Sequence, residues 1–429
     1  MPLPFQAPLI SEQGKSDLDP HIAATLRTFV QEHWEETLRV HREDEGDIIG
    51  LPCPYVVPCR KGRFQELYYW DTYFACLGLI ESGRTDLAIF NLRNFLHLVK
   101  RFGFIPNGSR TFYLNRSQPP YLAALVQRIG AKELGPELMA EAVSALKDEY
   151  NFWLNHRNSP TGLAHYGNHA TEEQLKQFFT QIQHRANLKG QTEEKQLWES
   201  SHTLAEAESG WDFTPRFEHR CGDCCAVDLN SNLFLYENLL AEVSIGSERE
   251  KWEKRAMDRQ QRITSYCWNQ KGGAFFDYDF LNGRQNQMLA VSTFHPLWAG
   301  LATPEQAALI REKALPELEL EFGVVPCKPG PRDAISQWDA PNIWPCLQAI
   351  VYRGLARYGY QEDAERIARK YVNVVWRGFQ ETGDLWEKYN AENGSTKTKA
   401  EANYITPAMM GWTAGVLMDA LRFLESPEA

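Results

Sequence analysis

Helical periodicity runs through almost the whole of this 429-residue chain with no linker to interrupt it, and that continuity constrains the fold more than any other feature. Over 21–40 the apolar residues Ile22, Leu26, Phe29, Val30 and Trp34 recur at three- and four-residue steps, which lays them on one stripe of a helix. Over 84–102, Leu87, Phe90, Leu92, Phe95, Leu96 and Val99 repeat the pattern. The same reading predicts helices over 121–127, 135–154, 230–243, 251–268, 304–314, 342–358, 361–377 and 406–424. Extended candidates are short, at 54–57 and at 274–278 after Gly272 and Gly273. Helix following helix, without a fixed-period repeat, leaves a solenoid or a closed barrel of helical hairpins in one domain. We therefore expect an N-terminal arm over 1–20 and an all-α domain over 21–429. The more polar stretch 159–200, with TEEQLKQFF and TEEKQLW, is expected to form a helical lid insertion.

Charge and cysteine usage narrow the function classes. Lys and Arg number 45 against 56 Asp and Glu, a formal charge of −11, and no basic run appears, which argues against a nucleic-acid partner. No apolar stretch approaches the ~20 residues of a membrane span, and MPLPFQAPLISEQGK lacks a basic start followed by an apolar run. A cytoplasmic protein, monomeric or homodimeric, is expected. Nine cysteines, an odd number, fit reduced buried thiols. Cys221, Cys224 and Cys225 form a C-x-x-C-C cluster, but no second Cys or His pair at zinc spacing accompanies it.

Four loops gather charged and aromatic side chains beside Gly and Pro. The first, VPCRKGRFQELYYWDTY, crowds Arg63, Glu66, Trp70 and Asp71 just before a helix. An Arg fork, a carboxylate and an indole plate suit a sugar, while the plain alternative is an Arg–Glu ion pair among core aromatics. The second, IPNGSRTFYLNRSQPP, offers Asn107, Arg116 and Gln118, although Asn107-Gly108 is also a turn signal. The third, ESGWDFTPRF, sets Asp212 between Trp211 and Phe213 after Gly210. A carboxyl among aromatics has its acid form favoured, as a general acid requires, though an Asp here could instead cap a helix or pair with Arg216. The fourth joins QWDAPNIWP, with Trp338 and Asp339, to WEKYN, with Glu387. Asp339 could serve only as a helix cap. Acetal hydrolysis needs two carboxyls, one to protonate the departing oxygen and one to activate water or attack carbon, and Asp212 and Glu387 could face each other across one cleft. The 13 Trp, 17 Tyr and 22 Phe acquire a location here, since Trp70, Trp211, Trp338, Trp344 and Trp386 all fall in these loops.

In order along the chain, PYVVPCRKGRFQELYYWDTYF, NGSRTFYLNRSQPP, ESGWDFTPRF, VDLNSNLF, QWDAPNIWP and WEKYN resemble the trehalase family, glycoside hydrolase family 37, over about residues 51–424. The resemblance implies an (α/α)6 toroid, a barrel of six helical hairpins, and inverting, exo-acting hydrolysis of α,α-trehalose, a small α-linked sugar. It implies Asp212 as general acid and Glu387 as general base, with no metal or organic cofactor. By the same match, Arg63, Trp70, Asp71, Asn107, Arg116, Gln118, Gly210, Trp338 and Asp339 line the substrate pocket.

The departures concern the second sugar. Lys61-Gly62 stands where the family signature has paired glycines, its R-P-E-S segment has no evident match near LAHYGNH, and its Gly-rich lid is replaced by KTKAEANY. Glu401 or Asn403 could stand in for the lid carboxylate. Arg60, Lys61, Lys397 and Lys399 could instead meet an anionic aglycone, as in family 63 hydrolases of glucosylglycerate or mannosylglycerate. A non-catalytic sugar-binding protein on the same barrel would predict a lost acid or base, yet both carboxylates are present.

Overall fold

The computed structural model describes residues 19–184, 188, 190–331, 336–398 and 405–426. In chain order its helices are α1 (Pro20–His33), α2 (Tyr69–Glu81), α3 (Thr85–Phe102), α4 (Leu122–Ile129), α5 (Ala131–His156), α6 (Glu172–Ile182), α7 (Glu193–Ser209) and α8 (Val227–Val243). They continue with α9 (Gly246–Cys267), α10 (His295–Trp298), α11 (Pro304–Leu309), α12 (Leu315–Leu318), α13 (Pro345–Arg357), α14 (Gln361–Thr382) and α15 (Gly411–Glu425). Among the described residues, α2, α4, α8, α10, α13 and α15 pack each against the next, and α15 returns to α2. This closes a ring and decides for the barrel over the solenoid. Outside it, α3 and α5 cover α4, α9 covers α8, and α14 covers α13 and α15.

The two layers follow from the amino acids. Every residue of α2 from Tyr69 to Leu79 is buried, as is α8 from Val227 to Glu237, so these helices are enclosed on all sides. By contrast, α3 and α14 bury one stripe and present Arg, Lys and Glu on the other. Ring closure between α2 and α15 depends on glycine. A Cβ on Gly415 would lie 1.8 Å from the Phe74 carbonyl oxygen, and one on Gly78 would lie 2.6 Å from the Gly415 Cα. Backbones meet there at a distance that admits only hydrogen on Cα. A buried polar node joins four helices: Tyr69 Oη donates to Glu149 Oε2 at 3.0 Å and accepts from Leu122 N at 3.0 Å, and Tyr236 Oη donates to the same carboxyl oxygen at 2.6 Å.

Where the structure departs from the periodic reading, local pairing is the cause. The first helix stops at His33 because 34–37 tighten into a 3₁₀ turn and Leu38–Arg39 then pair with Tyr55–Val56. Helix α13 starts at Pro345, since Asn342–Ile343 are taken by Tyr389–Asn390. The expected helix over 304–314 gives way to a π turn at Ile310–Ala314, α9 begins earlier at Gly246, and α15 begins only at Gly411. The expected strand 274–278 divides between two small sheets.

None of the nine cysteines forms a disulfide, and eight are buried. Cys225 Sγ lies 3.2 Å from Ser159 Oγ, Cys224 Sγ donates to the Arg220 carbonyl at 3.2 Å, and among the described residues no group of His, Cys, Asp or Glu could hold a metal. No described helix is long and apolar enough to cross a membrane. The loops that precede α2, α4, α13 and α15, together with the turn after α7, build the candidate site. Residues farther along the inner helices, among them Leu77, Arg128, Arg353 and Phe423, line a cavity of about 490 Å³.

Candidate active site

Trp70 and Asp71 lie inside the first turn of α2 rather than ahead of it. The first amides of a helix have no intrahelical partners, and the 105–120 loop supplies them. Gln118 Oε1 accepts from Trp70 N at 3.2 Å, and the Asn107 carbonyl accepts from Tyr69 N at 3.3 Å. Asn107 Nδ2 also donates to the Ala207 carbonyl at 3.4 Å, which ties this loop to the end of α7. Asp71 is buried, and burial, then the nearby Glu387 and Asp212, push its carboxyl up to about 7. Both proposed catalytic carboxyls therefore stand close enough to Asp71 to oppose its ionisation, although they come from opposite halves of the chain.

The turn carrying Asp212 is held from several sides. Helix α7 ends at Gly210, whose φ of +75° takes the left-handed form, and a Cβ there would lie 2.6 Å from Trp70 Cζ2. Gly210 thus serves the packing of Trp70 against the turn. Two residues on, Asp212 is half-buried, and Phe213 adopts φ +59°, a left-handed conformation that costs an aromatic residue energy and recurs at functional turns. The alternative pairing of Asp212 with Arg216 does not form. The Arg216 guanidinium is fully buried and forks onto Asp228, at 2.6 and 3.1 Å, and onto Asp277, at 2.7 and 2.8 Å. Glu208, one turn earlier, accepts from Arg157 Nε at 2.7 Å, Ser117 N at 2.9 Å and Gly167 N at 2.6 Å. Burial opposes its charge, yet Arg157 and those amides hold the carboxyl below its ordinary value. The 163–169 segment, which lacks the family's R-P-E-S motif, is thereby bound to the base of the turn that carries Asp212.

The opposite wall is the 336–344 loop with 385–390. Trp338 N donates to the Phe213 carbonyl at 3.4 Å, and Thr214 Oγ1 donates to the Trp338 carbonyl at 3.2 Å. Asp339 is fully buried, with Oδ1 accepting from Ala340 N at 2.7 Å. Glu387 is fixed through its backbone: its amide donates to the Pro407 carbonyl at 3.1 Å, and Trp412 Nε1 donates to the Glu387 carbonyl at 3.0 Å. Its Oε2 lies 3.0 Å from Lys388 Nζ, in a pair almost wholly removed from solvent. That ammonium also sits 4.6 Å above the Trp344 ring, so the buried cation has both a carboxylate and a π face.

The indoles form a floor. Trp338 stacks on Trp344 at 3.8 Å and 3°, on Trp211 at 5.5 Å and 25°, and meets Trp70 at 5.4 Å, while Trp412 stands edge-on to Trp344 at 5.6 Å. All five are buried, so they stack on one another beneath the carboxyls instead of standing as open plates. Trp386 is half-exposed and donates Nε1 to Thr382 Oγ1 at 2.9 Å.

At the rim, Arg63 is exposed, with its guanidinium 5.2 Å from the Phe64 ring. Glu66 pairs with Arg110 instead of Arg63 and accepts from Tyr68 Oη at 2.8 Å. Arg116 lies over Tyr113 at 5.0 Å and donates to Asn115 Oδ1 at 2.8 Å, and its buried Nε has no partner. Burial lowers the Arg116 pKa, while Tyr113 and Asp212 oppose that shift, which places the guanidinium near Asp212. Arg60 is engaged by Asp384 at 2.5 Å and by Glu36 at 3.4 Å, whereas Lys61 and Lys397 are exposed. Glu401, Asn403 and Lys399 lie outside the described residues. One carboxyl missed by sequence reasoning, Glu206, also borders Asp212. Its only sequence signal was an acidic residue among alanines, in AEAES, directly before the Trp-Asp pair.

A family model described as Trehalase matches residues 11–425. The chain belongs to the trehalase family. It is 33% identical over 415 residues to the cytosolic neutral trehalase of Emericella nidulans, covering 83% of this chain and 54% of that protein. It is 30% identical over 433 residues to the periplasmic trehalase of Pseudomonas aeruginosa, covering 94% and 77%. The chain thus spans about half the length of the fungal trehalases it matches. Among solved structures, neutral trehalase Nth1 from Saccharomyces cerevisiae superposes with a TM-score of 0.73 at 29% identity, over 94% of this chain and 80% of that one. The GH63 mannosylglycerate hydrolase from Thermus thermophilus superposes with a TM-score of 0.61 at 16% identity, over 92% and 99%, which marks a shared helical toroid.

Proposed function

We propose that this member of the trehalase family is an inverting, exo-acting glycosidase that hydrolyses α,α-trehalose to glucose. The observation that carries this reading is the convergence of Asp212 and Glu387 on Asp71 at the start of α2. Asp212, half-buried and aimed by its turn, delivers a proton to the glycosidic oxygen. Glu387 takes a proton from a water whose oxygen attacks the anomeric carbon from the opposite face. The carbon–oxygen bond to the leaving glucose breaks as the new bond forms, so one glucose departs as the α anomer and the attacked one as the β anomer. The Lys388 ammonium, 3.0 Å from Oε2, offsets the Glu387 charge. Asp71, with a carboxyl near 7, can donate to or accept from sugar hydroxyls at neutral pH. Arg63, Asn107, Arg116, Gln118, Trp338 and Asp339 complete the proposed pocket, with Glu401 or Asn403 in the place of the lid carboxylate. We place the protein in the cytosol, a reading supported by the names of its fungal relatives and by nine cysteines in no disulfide.

The engagement of Arg60 by Asp384 and Glu36 weighs against an anionic aglycone, because that guanidinium is already satisfied. Trehalose, kojibiose, glucosylglycerol and glucosylglycerate assayed side by side test the substrate. Trehalose is expected to give the highest kcat/KM by at least roughly tenfold. A preference for glucosylglycerate would transfer the reading to an anionic aglycone.

A further inference from the structure

All six helices of the inner ring contribute to the cavity of about 490 Å³, and none of the proposed pocket residues lines it. Tyr73 of α2, Arg128 of α4, Leu235 of α8, Trp298 of α10, Arg353 of α13 and Asp419 of α15 mark its walls. One aromatic layer divides it from the catalytic cleft: Phe74 lines the cavity and meets Trp70 edge-on at 6.1 Å. Arg357 and Gln127 are exposed and open it to solvent. Its volume falls within the roughly 300–1,000 Å³ of small-molecule sites.

The lining carries three guanidiniums and one carboxylate. Arg353 grips Asp419 with Nη2 on Oδ1 at 2.7 Å and Nε on Oδ2 at 3.0 Å, Arg128 Nη2 reaches Oδ1 at 3.3 Å, and Tyr352 Oη donates to Oδ2 at 2.6 Å. Four donors satisfy the carboxylate, which gathers two guanidiniums side by side. Phe423 lies 5.1 Å beneath that of Arg353, and Arg128 Nε is buried without a hydrogen-bond partner. Outside the lining, Glu81 meets Arg128 at 2.5 Å and is shared with Arg422 at 4.0 Å, so the excess of positive charge stands. Arg357 forms no ion pair among the described residues, and glycine at 300 makes room for it: a Cβ there would lie 3.0 Å from Arg357 Nη1. Arg128 and Arg357 do stand in the last turns of α4 and α13, where cations offset the carbonyl ends. That role does not call for Arg353, a turn earlier, or for a carboxylate that draws guanidiniums together inside a cavity. Beside them, Tyr73 and Trp298 meet edge to face at 6.3 Å and offer apolar ring surface and an indole N–H. We propose that this cavity is a second ligand site, which takes a phosphomonoester carried on a hydroxylated, sugar-sized ring. Arg128, Arg353 and Arg357 receive the phosphate, whose charge of about −2 at neutral pH matches the excess of guanidiniums, and Trp298 and Tyr73 receive the ring.

Isothermal titration calorimetry of the whole chain with glucose 6-phosphate tests the site, with inorganic phosphate and glucose as the two partial ligands. Glucose 6-phosphate is expected to bind at least roughly tenfold more tightly than either, because it engages both the guanidiniums and the rings. Arg357→Ala, an exposed position whose loss leaves no buried group unpaired, is expected to weaken that binding roughly tenfold or more. Asp212→Asn, altered in the catalytic cleft, is expected to leave it within about twofold. The readout is binding, so it does not depend on which glycoside the chain cleaves. No saturable binding of glucose 6-phosphate, or an unchanged affinity in Arg357→Ala, would overturn the site. Inorganic phosphate bound as tightly as glucose 6-phosphate would overturn the ring-bearing ligand, and binding lost in Asp212→Asn would move the sugar phosphate to the catalytic cleft and overturn the proposal.

Discussion

Replacing Asp212 by Asn is expected to lower kcat on trehalose by about 10³-fold or more while leaving hydrolysis of α-glucosyl fluoride largely intact. General acid catalysis contributes roughly 10²- to 10⁴-fold, and a sugar alkoxide is a leaving group that cannot depart unprotonated at neutral pH. Asparagine keeps the size of the side chain and the packing of its turn, but it has no proton to give. The turn itself rests on groups that the substitution does not touch: Gly210 against Trp70, the Trp338 amide on the Phe213 carbonyl, and the Glu208–Arg157 pair beneath. The loss should therefore appear in kcat and not in the melting temperature. The alkaline limb of the pH–rate profile on trehalose, which reports the acid, should vanish with it. A variant with a near-normal trehalose rate would remove Asp212 from its assigned role.

Replacing Arg216 by Leu is expected to cost about 3–5 kcal/mol of stability, read from urea unfolding. The guanidinium is fully buried between the Trp211 and Phe217 rings, 4.5 Å from each, and neutralises Asp228 and Asp277 with four hydrogen bonds. Asp277 also accepts from the Val227 amide at 2.9 Å, so the same node fixes the start of α8. A leucine would leave two carboxyls in the interior without a counter-charge, and the cost of that orphaned charge exceeds the worth of the ion pair itself. Lysine would restore the charge but not the fork, since one ammonium cannot reach both carboxylates in a planar bidentate way. It should recover only part of the loss. A cost below about 1 kcal/mol in Arg216→Leu would contradict this account of the node.

These two residues also show how far a sequence can be read. The proposed role of Asp212 rests on local signals: a carboxyl between Trp211 and Phe213, after a glycine, in a segment that matches a family motif. The destination of Arg216 has no local signal, because Asp277 lies 61 residues along the chain and is brought near by tertiary pairing, that of Cys224–Cys225 with Tyr278–Asp279 among it. The long amphipathic helices α3 and α14 follow directly from their periodicity, and so does the closed-barrel alternative. Short elements decided by tertiary pairing, such as α10 and the π turn at Ile310–Ala314, do not. Of the indoles expected in the loops, Trp70 lies in the first turn of α2 and Trp412 of α15 joins the cluster in place of Trp386, because whether an aromatic ring meets a sugar or another ring depends on the approach of separate segments. Here Trp338 and Trp344 stack on each other and give the cleft a buried floor. Gly210 appeared as a pocket residue, and its place is explained by the close approach of Trp70.

The central claim is that one chain, with Asp212 as acid and Glu387 as base, cleaves α,α-trehalose with a single inversion. Proton NMR of the first minutes of hydrolysis, before the anomers equilibrate, tests it most directly. The account predicts equal amounts of α- and β-glucose, the β anomer coming from the attacked sugar and the α anomer from the leaving one. Release of α-glucose alone, or no release of glucose from trehalose, would contradict it.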